Sequence, residues 1–359
     1  MNKISWLVLV IWLVGCNTSD PVDTPDPVIT EILPENFRVE IPDALSNISI
    51  VSGGRVRQDS STLRGEDIYQ SLRGFIWVGE SSANIIEELF EGILKAEIDT
   101  VVTFSLLSED DDRHKDFVLN QRVRREGKRY QYELNMSDED GTKAAQILWN
   151  LDPIEIVSIL SPYNINRNEG EELADVFYRI DYTEDDKDYD ATMLVSITNI
   201  PESEGLDNLM MFAGKKDEIV EVRGNSNHPN IKLIDQSFTG GRNYAFVARG
   251  NDGLNIGVAS LGLPPSAVDT NEDLLTDYSV FGVFEQELNA VGITDQQIID
   301  SVLVNAHSPA YFVGSSGFIS SGSAIPEIAG FDADFVELHG LNPFVPRDIR
   351  DLEITFFDN

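Results

Sequence analysis

The sequence predicts an α+β fold: a large antiparallel β-meander, drawn in outline as a curved half-barrel, with a few α-helices packed on it. Three observations carry that expectation. Between about residues 115 and 262, apolar and polar residues alternate with a period of two across successive segments joined by short polar turns. Just before this region, SANIIEELFEGILKAE places its apolar residues at helical spacing, and residues 274–302 return to that spacing after it. The 359 residues are 42% hydrophobic, enough for a sizeable core.

Taken in order, the chain begins MNKISWLVLVIWLVG, with Lys3 followed by an apolar run from Ile4 to Val14. That is the layout of a secretory signal, and the run is shorter than the roughly 20 apolar residues a membrane-spanning helix needs. Leu13-Val14-Gly15-Cys16 closes it with the single cysteine of the chain. These four residues resemble the lipobox of Gram-negative bacterial lipoproteins, which follows a type II signal peptide. The resemblance implies that residues 1–15 are removed and that Cys16 is the lipidation site, thioether-linked to a diacylglycerol. Several acyl chains at one residue hold a domain at a bilayer durably, where one chain does not. Asn17 stands where enteric-type lipoproteins retained at the inner membrane carry aspartate, so the resemblance implies an outer-membrane anchor, with the leaflet left open.

Residues 16–36 continue with Pro21, Pro25, Pro27 and Pro34 among Asp and Thr. Proline fixes φ and disfavours helix in its predecessor, so an extended tether is expected. Residues 37–359 are read as one large α+β domain, with a candidate sub-boundary near 265–272. FRVEIPDAL, NISIV and GFIWV read as short strands. A helix then starts with Ser81 or Ser82 as its cap. Next come DFVLNQRVR, a turn at Glu126-Gly127, RYQYELNM, the acidic turn SDEDG and KAAQILWN, followed by VFYRIDY, ATMLVSITNI, NLMMFAG, DEIVEVRG, NIKLI, NYAFVARG and LNIGVASLG. Segments joined by short loops pair with their neighbours, giving about eight to ten strands. Two helices follow, the second preceded by Thr294 and Gln297 at capping-box spacing. GSSGFISSGS reads as a turn-rich loop, and LEITFF as a final strand.

Charge excludes some functions. The 62 acids against 26 bases give a net charge of −36, a field that repels nucleic acid, so no nucleic-acid partner is expected. With one cysteine there is no internal disulfide, and the core alone must stabilise the fold.

Motifs for chemistry are sparse. His114, His228, His307 and His339 are scattered, without the spacing of a zinc site. Gly314-Ser315-Ser316-Gly317 is one residue short of a nucleophile elbow, and Gly214-Lys215, placed in a hairpin turn, lacks the upstream glycine of a phosphate-binding loop. Asp269, Asn271, Asp273 and Asp277 alternate like ligands of a calcium loop, but Leu274 replaces the turn glycine and Val280 the closing glutamate. Asp186, Asp188 and Asp190 alternate in a loop between strands, where solvation explains them as well. No catalytic residue, metal ligand or cofactor is expected. The aromatic residues of the strands could line a cleft for a small apolar or glycan ligand, and the sheet with helices is similar in outline to the half-barrels of periplasmic lipid carriers. The leading expectation is a non-catalytic binding domain tethered in the cell envelope; a tethered periplasmic hydrolase and a structural part of an envelope assembly are the alternatives.

Overall fold

The computed structural model describes residues 33–34, 36–47, 63–95, 103–184, 186–201, 207–228, 242–270 and 273–358. β1 (Leu63–Arg64) leads directly into α1 (Gly65–Lys95). Then come β2 (Thr103–Leu107), β3 (His114–Arg125), β4 (Lys128–Asp138), β5 (Lys143–Leu151), β6 (Ile154–Leu160), the single turn α2 (Pro162–Ile165), β7 (Phe177–Glu184), β8 (Ala191–Thr198), β9 (Leu209–Lys216), β10 (Ile219–His228), β11 (Arg242–Asn251) and β12 (Ile256–Gly262). The C-terminal part adds α3 (Leu274–Asp277), α4 (Val280–Ala290), α5 (Gln296–Val302), β13 (Leu303–Val304), β14 (Ala310–Val313), β15 (Gly317–Ser321), α6 (Ala333–Val336) and α7 (Pro346–Arg350).

The fold class is α+β with a large meander, as the periodicity predicts. Thirteen strands form one antiparallel sheet in the order β15-β14-β12-β11-β10-β9-β8-β7-β6-β5-β4-β3-β2, which stays open and is not closed into a barrel. β1 pairs parallel with β13 in a separate two-stranded ladder. Short turns keep sequence neighbours adjacent. Between β3 and β4, Glu126 and Gly127 take φ of 47° and 82°, the left-handed pair that matches hairpin twist.

The described residues divide into two compact units. One comprises Val39–Glu80 and Ile200–Leu352, and the other comprises residues 36–38, Ser81–Asn199 and Glu353–Asn359. Residues 265–270 lie within the first. In that unit, Ile68, Tyr69, Leu72 and Ile76 of α1 are buried, and Phe75 meets Tyr244 edge-on at 4.9 Å. Ile256, Val258 and Tyr311 pack with Phe331 and Phe335 in a further cluster. In the second unit, Phe90 of α1 meets Trp149 edge-on at 5.1 Å, and Leu148, Val157 and Ile159 pack against Ile354 and Phe357 of the C-terminal tail. Each fully buried Leu, Ile or Phe contributes about 1.5–3 kcal/mol.

Several local expectations are corrected. GFIWV is not a strand but the middle of α1, because Ile68, Leu72 and Ile76 recur one helical turn apart and all are buried. Ser81 and Ser82 therefore lie inside the helix and cap nothing. FRVEIPDAL forms no strand. Pro42 has no N–H to donate, and the donors around it turn to side chains, Ile41 N to Glu80 Oε1 at 2.9 Å and Ala44 N to Asn255 Oδ1 at 2.9 Å. Leu45 then rests on β12 where Gly257 has no side chain, since a Cβ there would lie 2.5 Å from the leucine. LEITFF is held without strand pairing, through Phe357 N donating to Gln146 Oε1 at 2.8 Å and Lys143 Nζ to Phe357 O at 3.3 Å.

The helix α5 is capped by Asp295 instead of Thr294, the carboxylate accepting from Gln297 N and Ile298 N. GSSGFISSGS contains β15, and Gly214 and Lys215 lie within β9, the turn falling at Asp217 and Glu218. The strand count exceeds eight to ten because the sequence reading omits β2, β6, β14 and β15; β14 and much of β6 are adjacent apolar residues that do not alternate cleanly, and β15 lies in the stretch read as a loop. NIKLI and all of NISIV but Asn47 lie outside the described residues.

Candidate functional site

Among the described residues, a dense group of ionisable side chains lies in the second unit, where β3, β4 and the segment after α2 meet. On β3, Lys115, Phe117 and Leu119 share one phase of the period-two pattern and are buried, and Arg113 just before the strand continues that phase. On β4, Leu134, Met136 and Asp138 share the buried phase, and the register sets Lys115 opposite Asp138. An opposite-charge pair thus occupies positions that apolar residues fill along the rest of each strand.

Lys115 Nζ donates to Asp138 Oδ1 at 2.8 Å, to Asp111 Oδ2 at 2.7 Å and to the Asn164 carbonyl at 3.3 Å. Asp138 also accepts from Arg113 Nη2 at 2.7 Å and from Arg167 Nε at 3.0 Å. Arg167 stacks over the Tyr163 ring at 4.6 Å and reaches Asp140 at 3.1 Å. Lys115 and Asp138 are 1% and 0% exposed, whereas the Arg113 and Arg167 side chains are 27% and 20% exposed, so a buried ion pair is flanked by cations that reach solvent. Burial alone would raise the Asp138 carboxyl. Hydrogen bonds from Arg113 and Lys115, the Lys115 charge and the Arg167 hydrogen bond outweigh it and hold the group far below the ordinary carboxylate range. Asp111 follows the same logic, burial opposed by the Arg167 N–H and by Lys115, with a net lowering. Both oxygens of Asp138 are saturated by cationic donors, so the chemistry of the cluster is clamping.

A second buried carboxylate lies five residues back along β4 from Asp138, on the opposite phase. Glu133 accepts from Arg125 Nε and Nη2, both at 2.8 Å, and from Gln146 Nε2 at 2.9 Å. Burial raises its carboxyl, but Arg125 and Gln146 bring it below its ordinary value. The other face of Gln146 holds the Phe357 N–H, so the ion pair and the C-terminal tail share one amide.

The first unit buries amides instead. Asn243 Nδ2 donates to Asn225 Oδ1 at 2.9 Å, Asn225 Nδ2 to the Phe344 carbonyl at 2.7 Å, and Ser266 Oγ to Asn243 Oδ1 at 2.8 Å. Arg249 joins Glu221 at 2.7 Å and donates to the Asp334 and Phe335 carbonyls at 3.1 and 3.2 Å, capping the end of α6. Arg73 is the exception. It is 0% exposed, donates to the Asp43 carbonyl at 2.6 Å and to Gln70 at 3.4 Å, and its Nε has no partner. Burial lowers its pKa, and Asp43 opposes that. Gly317, at φ 76°, admits the guanidinium, since a Cβ there would lie 2.4 Å from Nη1. Nearby on α1, burial outweighs the Ser308 hydrogen bond and pushes the Tyr69 phenol up to about 12.

The positions singled out by sequence do not converge. Cys16 and nearly all of the tether lie outside the described residues, as do Asn271 and Glu272. Asp273 adopts φ 57° before α3 and Asp269 is exposed. Asp186 accepts from the Asp188 N–H at 3.1 Å, as in an Asx turn. His114 and His339 are exposed, and His307 stacks on Phe281 at 4.0 Å. Among the described residues no group of three His, Cys, Asp or Glu is arranged to hold a metal ion, and no helix is long and apolar enough to cross a membrane. The ion cluster was missed because its members are spread from Asp111 to Arg167. The signal was nonetheless present, as a lysine and an aspartate on the apolar phases of two adjacent strands. Comparison with protein-family models, curated proteins and solved structures finds no match to this chain.

Proposed function

We propose that the protein is a lipid-anchored, non-catalytic binding domain of the cell envelope, held at the outer membrane through Cys16. The observation that carries this reading is the lone cysteine directly after Leu13-Val14-Gly15 at the end of a short apolar run. The chemistry of the body supports its non-catalytic half. Asp138, Asp111 and Glu133 are kept ionised by cations aimed at them, which suits anchoring; proton transfer near neutrality needs a pKa close to 7. The ligand class in view is a small apolar molecule or a glycan, and the four prolines between Pro21 and Pro34 would act as a spacer between lipid and body.

The test is Cys16→Ala, expressed in a host with lipoprotein processing and fed labelled fatty acid. The parent is expected to take up label and sediment with the outer-membrane fraction, and the variant to lose the label and leave that fraction or remain unprocessed. Equal labelling and equal fractionation of the two chains would overturn the anchor.

A further inference from the structure

In a chain of net charge −36, residues 122–129 carry Arg122, Arg124, Arg125, Lys128 and Arg129 against the single acid Glu126. They form the tip of the β3–β4 hairpin. The register sets Arg124 directly opposite Arg129 and Arg125 directly opposite Lys128, two like-charge pairs of the kind that destabilises a ladder. The fold neutralises one of them, Arg125 on the buried Glu133 and Lys128 on Glu155. It leaves the other. Arg124 donates to the Gly127 carbonyl at 3.2 Å, and neither Arg124, Arg129 nor Arg122 has a carboxylate partner among the described residues. All three are exposed, and Arg122 adopts φ 56° within the strand, a conformation that a side chain with a Cβ resists. Local conflict of this kind, without an internal compensation, marks a site under a demand other than stability.

The opposite end of the same hairpin has the reverse problem. β3 has 12 residues, so at about 3.4 Å per residue its ends lie roughly 40 Å apart. There the loop before β3 meets the segment after α2, through Asn168 Nδ2 donating to the Asp110 carbonyl at 2.5 Å. Glu109, Asp112, Glu171 and Glu172 are exposed. Burial, then repulsion from Asp111 and Glu109, raises the Asp110 carboxyl, and burial and Asp110 raise Glu169.

We propose that the basic hairpin tip, Arg122, Arg124 and Arg129, is an interaction surface for a second copy of this chain, docking on the acidic end of the neighbour's hairpin at Glu109, Glu171 and Glu172. Guanidinium forks match carboxylates in geometry and charge, and one contact relieves like-charge repulsion on both sides. A broad anionic surface would face the acidic body along with the tip, whereas end-to-end contact sets the tip guanidinium groups against Glu109, Glu171 and Glu172, the cations at that end being paired on Asp138, Glu139 and Asp140. At physiological ionic strength the screening length is about 8 Å, so these local charges outweigh the net charge. Tip-to-loop contact is heterologous and builds rings or open chains.

The test is analytical ultracentrifugation of the purified full chain in non-ionic detergent, at about 50 mM salt and again near 1 M, where the screening length falls to about 3 Å. The parent should associate at low salt and weaken at least tenfold at high salt. Arg124→Glu with Arg129→Glu should be monomeric with a melting temperature close to the parent's, because it exchanges one like-charge pair for another, and Glu171→Lys with Glu172→Lys should also be monomeric. Mixing the two variants should restore association, since the reversed tip of one meets the reversed loop of the other. A parent that stays monomeric at low salt overturns the proposal, as do variants that associate like the parent. A monomeric parent that binds phosphatidylglycerol vesicles through Arg124 and Arg129 overturns it in favour of a lipid surface.

Discussion

The strands β3 to β5 and the strands β10 and β11 both bury polar side chains against their sheet, but with opposite chemistry. The first set uses ions: Lys115 and Asp138 at 2.8 Å, and Arg125 and Glu133 at 2.8 Å. The second uses neutral amides, with Asn243, Asn225 and Ser266 linked at 2.9 and 2.8 Å and ending on the Phe344 carbonyl. Each arrangement pins a late segment, since Gln146 between Glu133 and Phe357 holds the tail, and Asn225 holds the chain before α7. An amide ladder satisfies donors and acceptors at any pH. An ion cluster does so only while its carboxylates stay ionised, and it binds more strongly when complete and fails harder when broken.

The largest expected effect follows from breaking the cluster. Asp138→Asn leaves Lys115, Arg113 and Arg167 facing a neutral group at a buried position and should lower stability by about 3–5 kcal/mol. Replacing both partners, Lys115→Met with Asp138→Leu, removes the most buried pair, while Asp111 keeps the Arg113 and Arg167 N–H groups and both arginines keep Asp140, and should recover part of that loss in urea unfolding. If the double substitution is as damaging as the single one, the cluster matters through shape, not charge.

Next in size is acid sensitivity. The folded pKa values of Asp138, Asp111 and Glu133 lie below their unfolded values, so their contribution is fully present above the unfolded values near 4 and is lost as pH falls through the folded ones. One strongly lowered carboxyl accounts for about 2–3 kcal/mol of such a loss. Unfolding free energies measured from pH 7 downward should therefore fall below about pH 5, with a shallower slope in the Lys115→Met, Asp138→Leu variant. An identical slope would assign the acid sensitivity elsewhere.

The amide ladder should respond more gently. Asn243→Ala leaves Asn225 Oδ1 and Ser266 Oγ each short of one buried partner and should cost about 1–3 kcal/mol, equally at pH 7 and pH 5. A pH-dependent cost would contradict a network held by neutral amides alone. The smallest effect is expected at the hairpin tip, where Arg129→Gln relieves the repulsion with Arg124 and should stabilise by about 0.2–1 kcal/mol.

These contrasts also show what the sequence could disclose. The antiparallel meander was legible because Tyr132, Leu134 and Met136 face one side and polar neighbours the other. α1 was legible from Ile85 to Phe90, where one face is charged, and was misread from Gly74 to Val78, where apolar residues are adjacent and periodicity cannot separate helix from strand. β6 was lost for the same reason. Asn225, Asn227 and Asn243 sit at strand positions that asparagine seldom favours, and only the register shows Asn227 opposite Asn243 with Asn225 diagonal to it. The ion cluster needed the register too, because Lys115 and Asp138 are 23 residues apart along the chain and opposite each other in the sheet.

The proposed function holds this folded body at a membrane by a lipid on Cys16. Mass spectrometry of the natively purified protein tests it most directly, because it reads the N-terminal residue, its modification and any co-purifying small molecule together. The expected species is a mature chain that begins at Cys16 with the mass of a diacylglyceryl group added to its sulfur. A chain that begins elsewhere, or that carries an unmodified Cys16, would contradict it.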